Sequence, residues 1–521
     1  MADVLLTHSY HLLYDPKQVR KMQPYPPLGT LYAAAVLRQR GFSTGLFDAM
    51  LVTPEEGFAR ALAEHRPKIV AVYEDDFNFL TKMCLTRMRE VAWEMARQAR
   101  AAGAYTIVHG SDASDHAEEF LSNGFDCVIT GEAEEKLAEV CARVLRGEAY
   151  GDLNGVAVAN YTPLRSERGK HTPTPTLRGM LLPARDLVEI DRYRRAWREA
   201  HGRFSLSLVS SRGCPFRCNW CAKPIFGDSF HVRPAREVAE EMKLLRNQYG
   251  ADHLWFADDV FALNHAWATE FAAEVERLGC AVPFKAQSRA DLMSEEVVDA
   301  LQRAGCEELW MGVESGSQKI LDAMDKGLEA GEVRLARERL GRAGIRACFF
   351  LQFGYPGETL EDIEQTVAMV REAKPDDIGV SVSYPLPNTR FYQQIREQMG
   401  EKRNWRDSDD LCVMFQGAYS DAFYRALRDA LHAEVNESKL RDGSIPSAQV
   451  QALWQRVAEL EPVSRNPNPT VLKNGRSGKT TECAPQVSRQ ERLIPLQALG
   501  ERVIPKTRAA DSSSDAGGWN G

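Results

Sequence analysis

The chain lacks any apolar run long enough to span a membrane, and its opening residues MADVLLTHSYH carry no basic flank ahead of a long hydrophobic stretch. No transmembrane segment and no secretory leader are expected, and the expected setting is the cytoplasm. Peripheral membrane contact stays open. One-signed charge is missing too. The 65 basic and 73 acidic residues are scattered and leave a net charge of −8, so no nucleic-acid surface is expected. A disulfide pattern is also absent. There are 11 cysteines, an odd number, in a chain with no export signal. Cys84, Cys127, Cys141, Cys280, Cys306, Cys348, Cys412 and Cys483 stand alone and read as small buried hydrophobes. The other three crowd together in one short stretch.

What is present is an ordinary globular composition, 44% hydrophobic over 521 residues, which implies two or three domains. Residues 1–145 alternate strands and helices, with candidate strands from Asp3, Ser43, Lys68, Ala104 and Phe125 and helical periodicity from Gly29, Glu55 and Leu80. This predicts an α/β fold with a doubly wound, Rossmann-like parallel sheet, whose ligands bind beyond the C-terminal strand ends. Residues 146–200 lose the rhythm and read as a connector. Within 201–400 six strand–helix units resume, with strands from Phe204, His253, Pro283, Glu308, Ala347 and Asp377. Six units predict a partial (β/α)6 barrel rather than a closed one of eight. Residues 401–463 read as helices covering the barrel, and 464–521 as a disordered tail. The GRSGKT stretch in that tail has Lys473 where a phosphate loop needs its first glycine, and it carries no weight.

The cysteine cluster lies in VSSRGCPFRCNWCAKPIFG, from Val209, with spacing C-x3-C-x2-C directly after a predicted strand. Thiolates hold iron–sulfur clusters. Three sulfurs on one short loop can each take one iron of a cubane and leave the fourth iron without a protein ligand. Gly213 and Pro215 suit the tight turn this requires. A closed zinc site would need a fourth ligand, but there is no second CxxC knuckle and the nearest histidine is His231.

Over about residues 204–395 the motif and its setting resemble the radical S-adenosylmethionine (SAM) superfamily. The resemblance implies that Cys214, Cys218 and Cys221 hold a [4Fe-4S] cluster whose open iron is chelated by SAM. Reductive cleavage of SAM then yields methionine and a 5′-deoxyadenosyl radical. Trp220 and Phe216 would pack at the cluster, with Trp220 beside SAM. The same resemblance assigns SAM contacts to the strand ends. Asp258 and Asp259, in WFADDVF, would accept from the SAM amino group; the alternative is a helix cap or Asx turn. Ser288 and Arg289, in AQSRAD, would hold the carboxylate; the alternative for Arg289 is a surface ion pair. Glu314 and Ser315, in MGVESGS, would meet the ribose hydroxyls, and Gly354, in FGYPGET, would border adenine.

YPPLGTLYAAAVLRQRG, FDAM, HGSDAS and TGEAEE resemble the cobalamin (B12)-binding domain that precedes many radical SAM barrels, over about residues 3–145. The expected cobalamin contacts are Thr7 and Ser9, Tyr73 and Glu74, Gly110 and Ser111, and Gly131 and Glu132. The D-x-H-x-x-G pattern that supplies a lower cobalt ligand is absent, so that ligand stays open. His8, His11, His109 and His116 are either local contacts or structural residues.

The two domains together resemble the class B radical SAM methyltransferases. This implies C-methylation of an unactivated carbon in a small-molecule or natural-product substrate, fed by an electron donor such as flavodoxin or ferredoxin. The alternative within the family is radical oxidation or ring formation, as in the anaerobic magnesium-protoporphyrin monomethyl ester cyclases. An alternative of another class is a non-catalytic cluster- or cobalamin-carrying sensor. No second cysteine trio offers an auxiliary cluster, so sulfur insertion is not expected.

Overall fold

Strand β1 (Val4–Thr7) is buried at every position, because it is an inner strand of a sheet whose two faces are both covered by helices. Its neighbours are β2 (Thr44–Phe47), β3 (Ile69–Tyr73), β4 (Tyr105–His109), β5 (Cys127–Ile129) and β6 (Val156–Val158), in the order β2-β1-β3-β4-β5-β6. The first five strands are parallel, and β6 runs antiparallel to β5. Side chains alternate between two cores: Leu5, Val70, Val72 and Val108 face one layer of helices, and Val4, Leu6, Ile69 and Ala71 the other. The strand order reverses between β1 and β3, which opens a crevice at their C-terminal ends. The computed structural model describes residues 2–52, 54–158, 176–439 and 446–472. Most of the expected connector stretch from Thr162, most of the expected disordered tail and the GRSGKT motif lie outside these residues.

The second half begins with β7 (Ser205–Leu208), the short strands β8 (Ser211–Arg212) and β9 (His231–Val232), then β10 (His253–Phe256), β11 (Phe284–Ser288), β12 (Cys306–Glu314), β13 (Arg346–Phe353) and β14 (Asp377–Val382). Six of these form one parallel sheet in the order β7-β10-β11-β12-β13-β14, each strand beside its successor. Strands β7 and β14 are its two edges, so the barrel is open, as six units predict. Leu309, Met311, Val313, Ala347, Phe349 and Leu351 are fully buried in a core shared with the outer helices. Strand alternation therefore turns Trp310, Gly312 and Phe350 to the inside.

The structure adds order to the segment read as a connector. β6 extends the first sheet, and the helix Ile190–His201 sends Tyr193 and Trp197 into the barrel core. The helices Asp421–Ser438 and Ala448–Ser464 pack on each other, and the first also lies against β14. No helix among the described residues is long and apolar enough to cross a membrane.

Candidate functional site

The cysteine loop leaves the barrel through Ser210 and Ser211 and is bracketed by the antiparallel pair β8–β9. Asp258, at the end of β10, accepts hydrogen bonds from the Ser210 amide and hydroxyl and from the Ser211 hydroxyl. Burial pushes its carboxyl up to about 6. Gly213 has φ +81°, and a Cβ there would overlap the Ser229 carbonyl oxygen, so only glycine fits this turn. Lys223 closes the loop by donating to the carbonyls of Cys214 and Phe216 at 2.8 and 2.6 Å. Asn219 ties it to the barrel, with its amide group on the Ala323 carbonyl at 2.7 Å and its side-chain oxygen accepting from Tyr355 at 2.9 Å.

Cys214, Cys218 and Cys221 are half-buried, whereas every other cysteine among the described residues except Cys412 is buried. Burial, then Asp259, then the two neighbouring thiols push Cys221 up to about 12. The three sulfurs thus feel one another, and loading a metal displaces their protons. Among the described residues no three His, Cys, Asp or Glu side chains converge on a single ion. A cubane would take each of the three thiolates on a separate iron. The donor set fits a cluster.

Around the loop the strand ends fall into two groups. Asp259, Arg289, Glu314 and Trp220 border the cysteines. Asp259 pairs with Lys82, which arrives from the N-terminal domain. Arg289 lies 3.8 Å over the Phe216 ring and is fixed by Asp291 and the Gly327 carbonyl. Glu314, with φ +65°, pairs with buried Lys326 at 2.8 Å, and Lys326 in turn feels Cys218. The Trp220 indole N–H is buried without a partner. Ser288, Ser315 and Gly354 are engaged internally instead. Ser288 donates to the Phe261 carbonyl at 2.8 Å, and Ser315 meets Thr366 at 3.1 Å. The Gly354 amide donates to Glu358 at 2.7 Å.

At the N-terminal sheet the expected contact residues gather at the strand ends. The Ser9 amide donates to Glu74 at 3.1 Å, and burial raises the Glu74 carboxyl. Gly110 has φ +149°, and a Cβ there would lie 2.8 Å from Glu74. The hydroxyls of Ser9, Tyr73 and Ser111 are buried without partners, which suits a large polar ligand resting on these ends. Thr7 turns to the His8 carbonyl and Met95. Gly131 has φ +68° at the end of β5, while Glu132 is committed to Arg212 at 3.2 Å. The histidines are mostly occupied. Both ring nitrogens of His109 face acceptors, the Ile129 carbonyl and Asp76. Burial opposes the charge on His109, but Asp76 outweighs it and the pKa rises. His8 contacts Asp48 and the Ala49 amide, and His116 contacts Asp112. Of the four, His11 is the one with a fully buried ring nitrogen that has no partner among the described residues, and burial lowers it to about 4.

Sequence reasoning did not find Arg212, Lys82, Lys326 or Asn219. Arg212 is 6% exposed and binds Glu132, on the loop after β5, at 3.2 Å and Glu134, the first residue of the helix Glu134–Arg146, at 2.6 Å. Its guanidinium also lies near the rings of Tyr32, Phe77 and Phe226. It thus clamps the residue before Gly213 and Cys214 to the neighbouring domain. Its position before the motif was the one available signal, since its partners are some eighty residues away in the chain.

A model of the radical SAM superfamily matches residues 208–370, and one of the B12 binding domain matches residues 22–141. The chain is 25% identical over 391 residues to an uncharacterized methyltransferase of Pyrococcus horikoshii, covering 73% of this chain and 81% of the relative. It is 26% identical over 407 residues to the hopanoid C-3 methylase of Methylococcus capsulatus, covering 76% and 73%. The solved radical S-adenosylmethionine methyltransferase TsrM of Kitasatospora setae, with cobalamin and a [4Fe-4S] cluster bound, shares the fold. Its TM-score is 0.61 at 20% identity, covering 78% of this chain and 79% of that one. With its three-thiol loop on an open six-stranded barrel behind a β2-β1-β3-β4-β5-β6 sheet, the chain belongs to the cobalamin-binding radical SAM family.

Proposed function

We propose that this chain is a cobalamin-dependent radical SAM methyltransferase acting on an unactivated carbon of a small molecule. One observation carries the reading: a loop of three half-buried thiols, on the C-terminal ends of an open barrel, is clamped through Arg212 to the strand ends of a sheet matching the B12 binding domain. Both relatives described above, and the solved TsrM, are named for methyl transfer, which supports methylation.

Cys214, Cys218 and Cys221 would hold the cluster, and the ends of β1, β3, β4 and β5 would hold the cobalamin. When bound, the cluster supplies the electron that breaks a carbon–sulfur bond of SAM, and cobalamin supplies the methyl group. The surrounding residues bind and orient. Arg289, held flat over Phe216, offers two N–H groups to the SAM carboxylate. Asp259 offers an acceptor to its amino group, with Lys82 as the charge partner until SAM arrives. Glu314 offers acceptors to the ribose hydroxyls, and buried Lys326 holds it in place. Trp220 packs beside the ligand. Asp258, Ser288, Ser315 and Gly354 shape the strand ends that carry these groups, because their own polar atoms are already engaged. In the first domain Ser9, Tyr73, Gly110, Ser111 and Gly131 face the cobalamin, and Glu132 serves the clamp. An external one-electron donor such as flavodoxin or ferredoxin, in a reducing cytoplasm, completes the reading.

The test uses anaerobically reconstituted protein, a chemical reductant, SAM with a labelled methyl group, and a small-molecule cell extract as the source of acceptors. The expected result is 5′-deoxyadenosine together with label in one product. Turnover to an oxidised or cyclised product without label selects the cyclase reading. Failure to form any 5′-deoxyadenosine overturns the enzyme reading in favour of a sensor.

A further inference from the structure

The inner face of the barrel carries an aromatic pair that the fold does not cover. Trp310 on β12 and Phe350 on β13 stack with centroids 4.8 Å apart at 27°. Neither belongs to any of the buried apolar cores, and Phe350 stays 37% exposed in the middle of its strand. Open aromatic surface at the centre of a sheet marks a place that a ligand covers. Two glycines shape the surroundings. Gly379 pairs with Phe350 across β13 and β14, and a Cβ there would press on Phe350 at 3.1 Å and Trp310 at 3.4 Å. Gly312 pairs with Phe350 on the other side, and a Cβ there would lie 2.8 Å from the Lys326 ammonium and 2.9 Å from Glu314. Gly312, which lies against the ion pair bordering the cysteine loop, is therefore one strand across from Phe350.

A charge stands further down the same face. Lys285 on β11 pairs in register with Glu308 on β12, which puts it about 8 Å from Trp310, one strand across and two residues along. Its ammonium lies over the rings of Tyr25 and Trp255 at 5.8 and 5.6 Å and donates to the Gln23 side-chain oxygen at 3.2 Å. No carboxylate among the described residues reaches it at ion-pair distance, because Glu308 is taken by Arg346 at 2.6 Å and by the Trp310 indole at 2.7 Å. Burial lowers Lys285 to about 8, so a ligand anion would find a cation with donors to spare.

We propose that this inner face binds the substrate, and that the substrate is a flat, unsaturated ring acid. The ring stacks on Phe350 and Trp310 beneath the Glu314–Lys326 pair, and the anionic group reaches Lys285. This rests on the methyltransferase reading for what then happens to the ring, and extends that reading to a substrate class.

The test is calorimetric titration of the reconstituted full chain with naphthalene-2-carboxylate. A saturated control, decahydronaphthalene-2-carboxylate, removes flatness, and a neutral control, 2-naphthalenemethanol, removes charge. The flat acid is expected to bind at least tenfold more tightly than either. Phe350→Leu keeps the apolar volume and drops the ring, and should collapse the flat-over-saturated preference. Lys285→Met should collapse the acid-over-alcohol preference. Equal affinity for all three probes, or preferences untouched by both substitutions, overturns the proposal. Formation of 5′-deoxyadenosine by the unaltered chain is measured alongside. Probe binding without it keeps this site and loses the reaction; its formation without probe binding keeps the reaction and loses the substrate class.

Discussion

At the scale of single residues the site depends on positions where one atom decides. Cys218→Ala removes one of three thiolates and should abolish both iron content and SAM cleavage, read by metal analysis and 5′-deoxyadenosine. Gly213→Ala sets a methyl group against the Ser229 carbonyl at a positive φ. It should cost about 3 kcal/mol or more and lower cluster occupancy, checked by denaturant unfolding and an iron count. Asp75 gives a pH test away from the cysteines. Burial pushes its carboxyl up from 3.8 to about 6, against the hydrogen bonds from the Gly29 and Phe77 amides. The folded chain therefore binds that proton more tightly than the unfolded chain does. Stability from this group is highest below pH ~4 and falls as pH rises to ~6. Asp75→Asn should flatten that slope by on the order of 1–3 kcal/mol, read from unfolding curves at pH 5 and pH 7. The three cysteines were legible from spacing alone. Lys326 and Asn219 were not, because each acts through a partner that spacing does not reveal.

Among the elements, the two-residue strand β8 matters beyond its length. It carries Arg212 into a buried nest of Glu132, Glu134 and three aromatic rings. Replacing it with Gln leaves two carboxylates without their cation, at a cost of about 3–5 kcal/mol, and should split thermal unfolding into two transitions in a calorimeter. Adding Glu134→Gln to that variant should recover part of the loss, because one of the two orphaned charges is gone. The long strands and helices were legible from their periodicity, since each buries one face or two. β6, β8 and β9 were not. Strands of two or three residues show no period, and pairing with a distant neighbour is what makes them strands.

At the scale of the whole molecule two sheets meet at the C-terminal ends of their strands. Arg212 and the Lys82–Asp259 pair cross between them, and Asp15 with Ser408 links the first domain to the segment after the barrel. If the first sheet carries cobalamin, ligand binding adds to folding stability. Cobalamin at a hundredfold its dissociation constant should add about 2.7 kcal/mol and raise the melting temperature of the cluster-free chain. An unchanged melting curve would speak against a bound corrinoid.

Sequence alone determined what repeats or clusters along the chain: the β-α alternation of both halves, the six-unit open barrel, and the trio of thiols with its turn residues. These are local, because burial of a helix stripe or a strand face prints a period and a cluster loop needs its ligands close together. Only the tertiary structure decided which strand-end groups remain free and which are spent on neighbours, as Asp258 is on Ser210 and Ser211 and Glu132 is on Arg212. It also decided that Trp310, Phe350 and Lys285 share one inner face. Hydrogen-bond commitment and burial are set by groups far apart in the chain, and no spacing along the chain encodes them.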